Sequence, residues 1–451
     1  YGLITPKENF AEQDAELWWK LTLKTAKEAI AKAEINDIKG ISISSQGITV
    51  VPVDSELKPL CNALSWLDVR AVDEVKQLEM DFGRENIFSL TGKRPDPAYS
   101  LPKILWLKNN RRDIFDKAFK FLMPMDFLIA RLTGNCVTDL TMASGTLMYD
   151  LDGKCWSKEI LDLYEIDENK LSKLMYAGES AGEILPHVAE ELGINKACIV
   201  AVGAQDQKCA AFASGLDKDT VTVSLGTAAA VTSFEKEGKK AFDPGRCPYV
   251  EEKIFINESV INTAGTCLRW LRDLLFKGED YDVIDKEAEK ALEKGNNLLF
   301  FPYMNGPCAP HFHPDNTGIF HGMTLASERG DFALAVMEGI AFQIRSLLEE
   351  TGTYGNTKTL VVFGGGANAS LWPKIIADVT NLTVKVPKTP QTAVAGAAML
   401  AAKATGEKLT EMGYSAEYHP SERREFYDKK YRKYKNTENL LWKRGEKLDC
   451  N

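Results

Sequence analysis

The chain has 451 residues, too many for one ordinary hydrophobic core, so two domains are the natural expectation. Hydrophobic residues make up 44% and charged residues 26%, the balance of an ordinary soluble globular protein. The formal net charge is -9, with acidic and basic residues interleaved and no Lys/Arg block, which argues against nucleic acid as a partner. The 9 cysteines are odd in number and scattered, without CxxC or His-Cys metal spacing, so free buried thiols in a reducing cytosol are expected and a disulfide framework is not. The opening YGLITPKENFAEQDAELWWK has neither a basic n-region nor an apolar h-region, and no later run is apolar for long enough to cross a bilayer. A cytoplasmic location and no membrane partner are the expectations.

In chain order, ELWWKLTLKTAKEAIAKAE spaces Leu17, Leu21, Leu23, Ala26 and Ile30 roughly along one helical face. IKGISISS then begins a strand, and ITVVPVDSELKPL follows as a second strand with a polar turn at Asp54 to Lys58. Helical patterns dominate from Val69 to about Leu132, and Leu132-Thr133-Gly134 reads as a helix end with a glycine cap. KACIVAVGAQDQKCAAFASG predicts a strand, a glycine turn and a short small-residue helix closed by Gly215. DTVTVSLGTAAAVTSF alternates on either side of Ser224 to Thr227, as a β-hairpin does, and a second domain is expected to begin here. TKTLVVFGGGANASLWPKIIADVTN predicts a buried strand, three consecutive glycines and an amphipathic helix carrying Leu371, Ile375, Ile376 and Val379. SERREFYDKKYRKYKNTENLLWKRGEK closes the chain as a charged helix, expected to be a solvated surface element. There is no short-period repeat and no low-complexity linker, so two α/β domains packed around a cleft are the expected architecture.

The absence of GxxxxGK[ST], HExxH and GxSxG excludes a Walker-type nucleotide site, a zinc protease of that kind and a nucleophile-elbow hydrolase. GGGANA at Gly364 to Ala369 meets the loose dinucleotide fingerprint, yet TVKVPKTP supplies Lys385 and Lys388 where that fold wants an acid, so an NAD-dependent oxidoreductase rests on GGGANA alone. Ser224 to Thr227 suits phosphate contact through backbone N–H groups and a threonine hydroxyl, and serves equally as a plain hairpin turn. Asp206, between a strand end and a helix start, suits a helix cap and also a base that accepts an alcohol proton; both readings stand at this level. His311 and His313, among proline and asparagine with no third ligand nearby, read as a rigid loop and not a metal pair.

Taken together and in order, GISISSQG, SWLDVRA, RLTGNCVTDLTMASGT, GAQDQKCAAFASG, VTVSLGTAA, GTCLRWLRD, PHFHPDNTGIFHGM, AVMEGIAF and VFGGGANASLWPKIIADVTNLTV with AVAGAAMLAA resemble the FGGY carbohydrate kinases, most nearly their xylulose kinase branch, over nearly the whole chain. The resemblance implies two ribonuclease H-like α/β domains of the actin, sugar kinase and heat-shock ATPase superfamily around a central cleft, at residues 1–215 for the sugar and 216–451 for the nucleotide. It implies ATP and Mg²⁺, with the metal ligands unassigned, a ketose such as xylulose or a related pentulose, and a homodimer as in many relatives. Asp206 matches the family's base and Gln207 a sugar contact; Gln46, Gly47, Trp66 and Asp68 match the sugar pocket. Gly226, Thr227, Gly265 and Thr266 match the phosphate contacts, and Gly365, Gly366, Ala367 and Asn368 the adenosine side.

Three departures bear on specificity. SQGIT stands where xylulose kinases commonly read GQMHG, so Gly47 and Ile48 replace a Met-His pair that touches the ketose. PYMNGPCAP puts Pro307 and Cys308 where relatives often carry Glu-Arg. The chain begins at Tyr1, just after the point where the family's first phosphate hairpin should end, and the expectation is that a start at Tyr1 would lack half of the phosphate clamp. Gluconate, a hexulose or glycerol remain alternative substrates, and a catalytically inactive sugar- or nucleotide-binding relative is the competing class.

Overall fold

The computed structural model describes residues 2–35, 37–235, 245–306, 317–408 and 412–442. These group into two compact units: unit 1 is Tyr1–Ala213 with Arg246–Phe255 and Gln391–Glu411, and unit 2 is Ser214–Gly245 with Ile256–Pro390 and Met412–Asn451. His311, His313, Pro307 and Cys308 lie outside the described residues.

Unit 1 opens with helix α1 (Ala15–Ala33), started by Asp14, whose carboxylate accepts from the N–H groups of Glu16 and Leu17. Its buried face is Ala15, Trp18, Trp19 and Leu23, turned away from the expected Leu17 and Leu21 because the two indoles carry the largest apolar area to bury. Strand β1 (Gly40–Ser45) follows. Then come α2 (Ser100–Asn110), α3 (Pro124–Thr133) and the short α4 (Leu140–Ala143). As the sequence predicts, α3 ends at Gly134, whose φ of 82° only glycine adopts without strain.

Strand β2 (Ile199–Gln205) runs parallel to β1 and antiparallel to Ser180–Glu183. The expected glycine turn after it does not exist: Gly203 sits inside the strand, and helix α5 (Asp206–Ala213) begins on the next residue after Gln205. A Cβ on Gly203 would lie 1.7 Å from the carbonyl oxygen of Ile43, so this glycine lets two strand backbones meet where the register shifts. With no loop between strand and helix, the backbone at Asp206 is fixed from both sides.

Unit 2 begins with the predicted hairpin, β3 (Thr220–Leu225) and β4 (Ala229–Phe234), closed in the register Leu225↔Ala229. Strand β5 (Phe255–Ile261) extends it antiparallel, and α6 (Gly265–Leu275) and α7 (Tyr281–Lys294) follow. Helix α8 (Arg329–Glu350) is buried along most of its length and runs in the core beneath the sheet. Strand β6 (Thr359–Phe363), the glycines with a single 3₁₀ turn at Gly365–Ala367 and helix α9 (Leu371–Thr380) come next, as predicted from TKTLVVFGGGANASLWPKIIADVTN, and strand β7 (Thr383–Pro387) follows. Helix α10 (Thr392–Thr405) returns to unit 1, where a Cβ on Gly396 would lie 2.0 Å from the carbonyl oxygen of Cys209; that glycine lets α10 cross α5 in contact. Strand β8 (Tyr414–Tyr418) and helix α11 (Arg424–Leu441) complete unit 2.

The sheet that holds the unit 2 strands has seven, in the order Arg246–Pro248, β5, β4, β3, β6, β7, β8; β5-β4-β3 are consecutive and antiparallel, β6 and β7 continue in parallel, which is the ribonuclease H-like arrangement, and β8 closes the edge antiparallel. The last helix corrects an expectation. α11 is not merely a solvated surface element: Tyr427, Tyr431 and Tyr434, at helical spacing, enter the core, and the buried Lys430 pairs with Glu338 of α8. The seven described cysteines are all free. Burial pushes Cys61, Cys198 and Cys267 up to about 11 and Cys209 up to about 12, so these thiols are packing groups and not nucleophiles.

Candidate active site

In unit 1 two predicted residues leave the same edge of the sheet. Strands β1 and β2 pair in parallel to their last residues, Ser45 opposite Gln205, so Gln46 and Asp206 are the next residue out on neighbouring strands. The carboxyl edge of parallel strands is where α/β folds bind ligands. Gly47 passes close to Gln205, with a hypothetical Cβ 3.4 Å from that side chain's Cγ.

Asp206 is half-buried and is the first residue of α5, where the helix N-terminus favours a negative charge. Its Oδ1 accepts from the Gln205 amide side chain at 2.6 Å and from the Gln207 backbone N–H at 2.8 Å. Gln205 is itself held, because its N–H donates to Thr141 Oγ1 at 3.0 Å and that hydroxyl donates to Asp139 at 3.0 Å. Asp139 caps α4 by accepting from the N–H groups of Thr141 and Met142; burial pushes its carboxyl up to about 6, and those bonds hold it from rising further. Thr141 and Asp139 were not among the predicted site residues, although both stand in the TDLTMASGT motif.

Two more of the predicted residues, Gln46 and Trp66, meet at Thr49. Its hydroxyl oxygen accepts from Gln46 Nε2 at 3.2 Å and from the Trp66 N–H at 3.0 Å, while Gln46 also donates to Gln13 at 2.7 Å. Trp66 leaves 45% of its surface exposed, a large apolar face on offer. Asp68 is placed differently from the other predicted contacts: its exposure is 0%, and its oxygens accept from the Ala11 N–H at 2.7 Å and from the Arg70 guanidinium at 2.7 to 3.0 Å. A carboxylate occupied in this way orients the Trp66 segment and presents no oxygen to a ligand.

Unit 2 carries a cavity of about 600 Å³. Gly226, Thr227, Gly265, Gly365, Gly366 and Asn368 all line it, so three stretches far apart in sequence converge on one space. Glycine is what lets them converge. A Cβ on Gly265 would lie 2.5 Å from the Gly226 carbonyl oxygen, and one on Gly366 would lie 2.6 Å from Leu225 Cγ. The N-terminus of α6 is bonded directly to the hairpin turn, Gly265 N–H to Gly226 O at 2.9 Å and Thr266 N–H to Thr227 O at 3.2 Å. Two predicted residues do not line this space: Thr266 spends its hydroxyl on the Thr227 carbonyl, and Ala367 faces a smaller cavity of about 220 Å³.

Sequence reasoning missed Arg269, Tyr281, Asp282, Asp285 and Trp372, which also line it. The available signal was the amphipathic start of YDVIDKEAEKALEK, whose Tyr281 and Asp285 are one helical turn apart. Burial, with repulsion from Asp282 and Glu289, raises the Asp285 carboxyl to about 6. Among the described residues no group of three His, Cys, Asp or Glu side chains is placed to hold a metal ion. Among them, too, no helix is long and apolar enough to cross a membrane.

Comparison with known proteins covers both units. Residues 1–213 match the N-terminal domain model of the FGGY family of carbohydrate kinases and residues 221–405 the C-terminal domain model. A xylulose kinase of Bacillus subtilis is 31% identical over 451 residues, covering 98% of this chain and 89% of that protein. A gluconokinase of the same organism is 28% identical over 423 residues, covering 90% and 82% respectively. The crystal structure of a ligand-bound xylulose kinase from Lactobacillus acidophilus superposes with a TM-score of 0.88 at 26% identity, covering 98% of this chain and 92% of that one. Two family models across nearly the full length, a ribonuclease H-like sheet and a glycine-lined cavity agree: the chain belongs to the FGGY family of carbohydrate kinases.

Proposed function

We propose that this kinase phosphorylates a ketose, xylulose or a related pentulose, with Asp206 accepting the proton of the attacking hydroxyl. The observation that carries the reading is the register of β1 and β2, which brings Gln46 and Asp206 out side by side at one sheet edge. A carboxylate aimed by Gln205 and by the Gln207 N–H suits a base within hydrogen-bond reach of an alcohol. Gln46, Gly47, Trp66 and Gln207 contact the sugar in this reading, and Asp68 acts behind them through Arg70.

ATP occupies the cavity of unit 2. Thr227 turns its backbone N–H and hydroxyl to the phosphates, Gly226 and Gly265 let them approach the main chain closely, and Gly365, Gly366 and Asn368 form the adenosine side. Phosphoryl transfer asks little covalent work of the protein, so positioning and charge neutralisation supply the rate. Mg²⁺ enters with the nucleotide, where it would neutralise phosphate charge; such an ion keeps several waters and takes one or two carboxylates plus phosphate oxygens, so it needs no all-protein cage. The seven free thiols accord with a cytoplasmic location.

The gluconokinase relative, at 28% identity, supports gluconate as the second substrate reading. An ADP-release assay of the full-length protein across pentuloses, hexuloses, gluconate and glycerol separates them. The highest kcat/KM is expected on a pentulose; a gluconate maximum selects the second reading, and silence on every sugar favours a binding protein without catalysis.

A further inference from the structure

Lys103 lies at the fourth residue of α2, and its side chain has 0% exposure. A buried ammonium persists only when its three donors are matched. Here three backbone carbonyls do the matching, from Ile48 at 3.2 Å, from Ser65 at 2.6 Å, and from Ala98. Ile48 adjoins Gln46 and Gly47 in the chain, and Ser65 precedes Trp66. One lysine therefore ties together the two segments that carry the acceptor-side residues.

The first of these segments is strained. Ile48 has φ +53°, the left-handed region that a β-branched side chain strongly disfavours. The Thr49 N–H donates back to the Gly47 carbonyl at 2.7 Å, a three-residue turn of the rare γ type with Ile48 at its centre. Such a conformation survives only where the surroundings over-determine it. The Lys103 bond to the Ile48 carbonyl grips the turn at its strained residue, and the Gln46 bond to Thr49 fixes its far side.

We propose that Lys103 is a positioning residue of the sugar site, which holds the strained Gly47-Ile48-Thr49 turn and the Trp66 segment in register so that Gln46 and Trp66 meet the substrate. This rests on the sugar-binding assignment of Gln46 and Trp66 given above. Lys103 touches no reacting atom. Its charge is set by burial, which lowers it from the usual lysine range to about 7; Asp68 and Asp96 oppose that lowering and Arg70 adds to it. As pH rises through 7 the ammonium becomes an amine with two donors for three carbonyls, so one tether is released.

The test compares wild type with Lys103→Met, which keeps the stem and removes every donor, and Lys103→Gln, which keeps two. Sugar KM is expected to rise on the order of tenfold in Lys103→Met and less in Lys103→Gln, with ATP KM unchanged, since the misplaced groups are on the sugar side. Amide hydrogen exchange at residues 47–49 and 65–67 should speed up in the same order. In wild type, sugar KM should climb between pH 6 and 8.5, and in Lys103→Met that climb should vanish. A Lys103→Met protein that melts lower but keeps wild-type sugar KM and wild-type exchange in both segments overturns the proposal. Should neither variant fold, a wild-type sugar KM flat across that pH range overturns it, and a climb with constant ATP KM upholds it. Gln46→Ala separates the two levels: faster exchange in Lys103→Met, with sugar KM untouched in both variants, means the tether is real and the sugar-site assignment is wrong.

Discussion

Around Asp206 the working groups are side chains fixed by other side chains: Gln205 on the carboxylate, Thr141 and Asp139 behind it, and Thr49 joining Gln46 to Trp66. Around the cavity of unit 2 they are main chain, with Gly265 and Gly366 placed where any side chain would collide. The proposed roles account for the difference. Taking a proton from one hydroxyl among several needs a particular atom at a particular angle, whereas holding phosphates needs many N–H groups at close range. Substitution should therefore act on chemistry in unit 1 and on shape in unit 2.

The largest effect is expected at the base. Asp206→Ala should lower kcat by about 10² to 10⁴, the usual share of a positioned base, while ATP still protects the protein against thermal unfolding. Gly265→Ala strikes the other side. Its Cβ would lie 2.5 Å from the Gly226 carbonyl oxygen, so the hairpin turn must move, and ATP KM should rise by on the order of 10²-fold with sugar KM retained.

Stability against pH sharpens the contrast, because unit 1 buries two carboxyls, Asp126 and Asp139, the second of them behind Gln205. Burial pushes Asp126 up to about 7 and Asp139 up to about 6, both above their unfolded values near 4. The native state then holds more protons than the unfolded chain between roughly pH 4 and 7, so unfolding free energy falls as pH rises through that window. Denaturant titrations at pH 5 and pH 8 should differ by on the order of a few kcal/mol, and Asp126→Asn should remove much of the difference. The smallest effect is expected at Gly365, where a Cβ meets nothing within 4 Å. Gly365→Ala should leave the melting temperature unchanged and raise ATP KM only a few-fold by narrowing the cavity, roughly the effect of one methyl group in a pocket.

Local pattern was enough to read the β3–β4 hairpin, the glycines after β6 and the Gly134 helix end, because turn chemistry there is set by neighbouring residues. It misread Gly203, since a glycine placed for contact with a strand more than a hundred residues away looks the same as a glycine in a turn. The charged composition of α11 hid its tyrosine face, which only packing against α8 reveals. At the candidate site, Asp206 and Gln46 at one sheet edge and the cavity glycines were singled out through their motifs. Lys103 and Asp139 were passed over: Lys103 bonds to the carbonyl of Ser65, distant in sequence, and Asp139 reaches Gln205 only through Thr141. Asp68 stood out for its charge, yet Arg70, two residues on, had already claimed it.

The most direct test is Asp206→Asn assayed for ADP release at saturating sugar, with ATP binding measured on the same sample. Asparagine keeps the shape and still accepts from Gln205 and the Gln207 N–H, but it cannot take a proton. The expected result is turnover reduced by at least about a hundredfold with ATP affinity within a few-fold of wild type. Near-normal turnover on the same sugar would contradict the assignment of Asp206 as the proton acceptor.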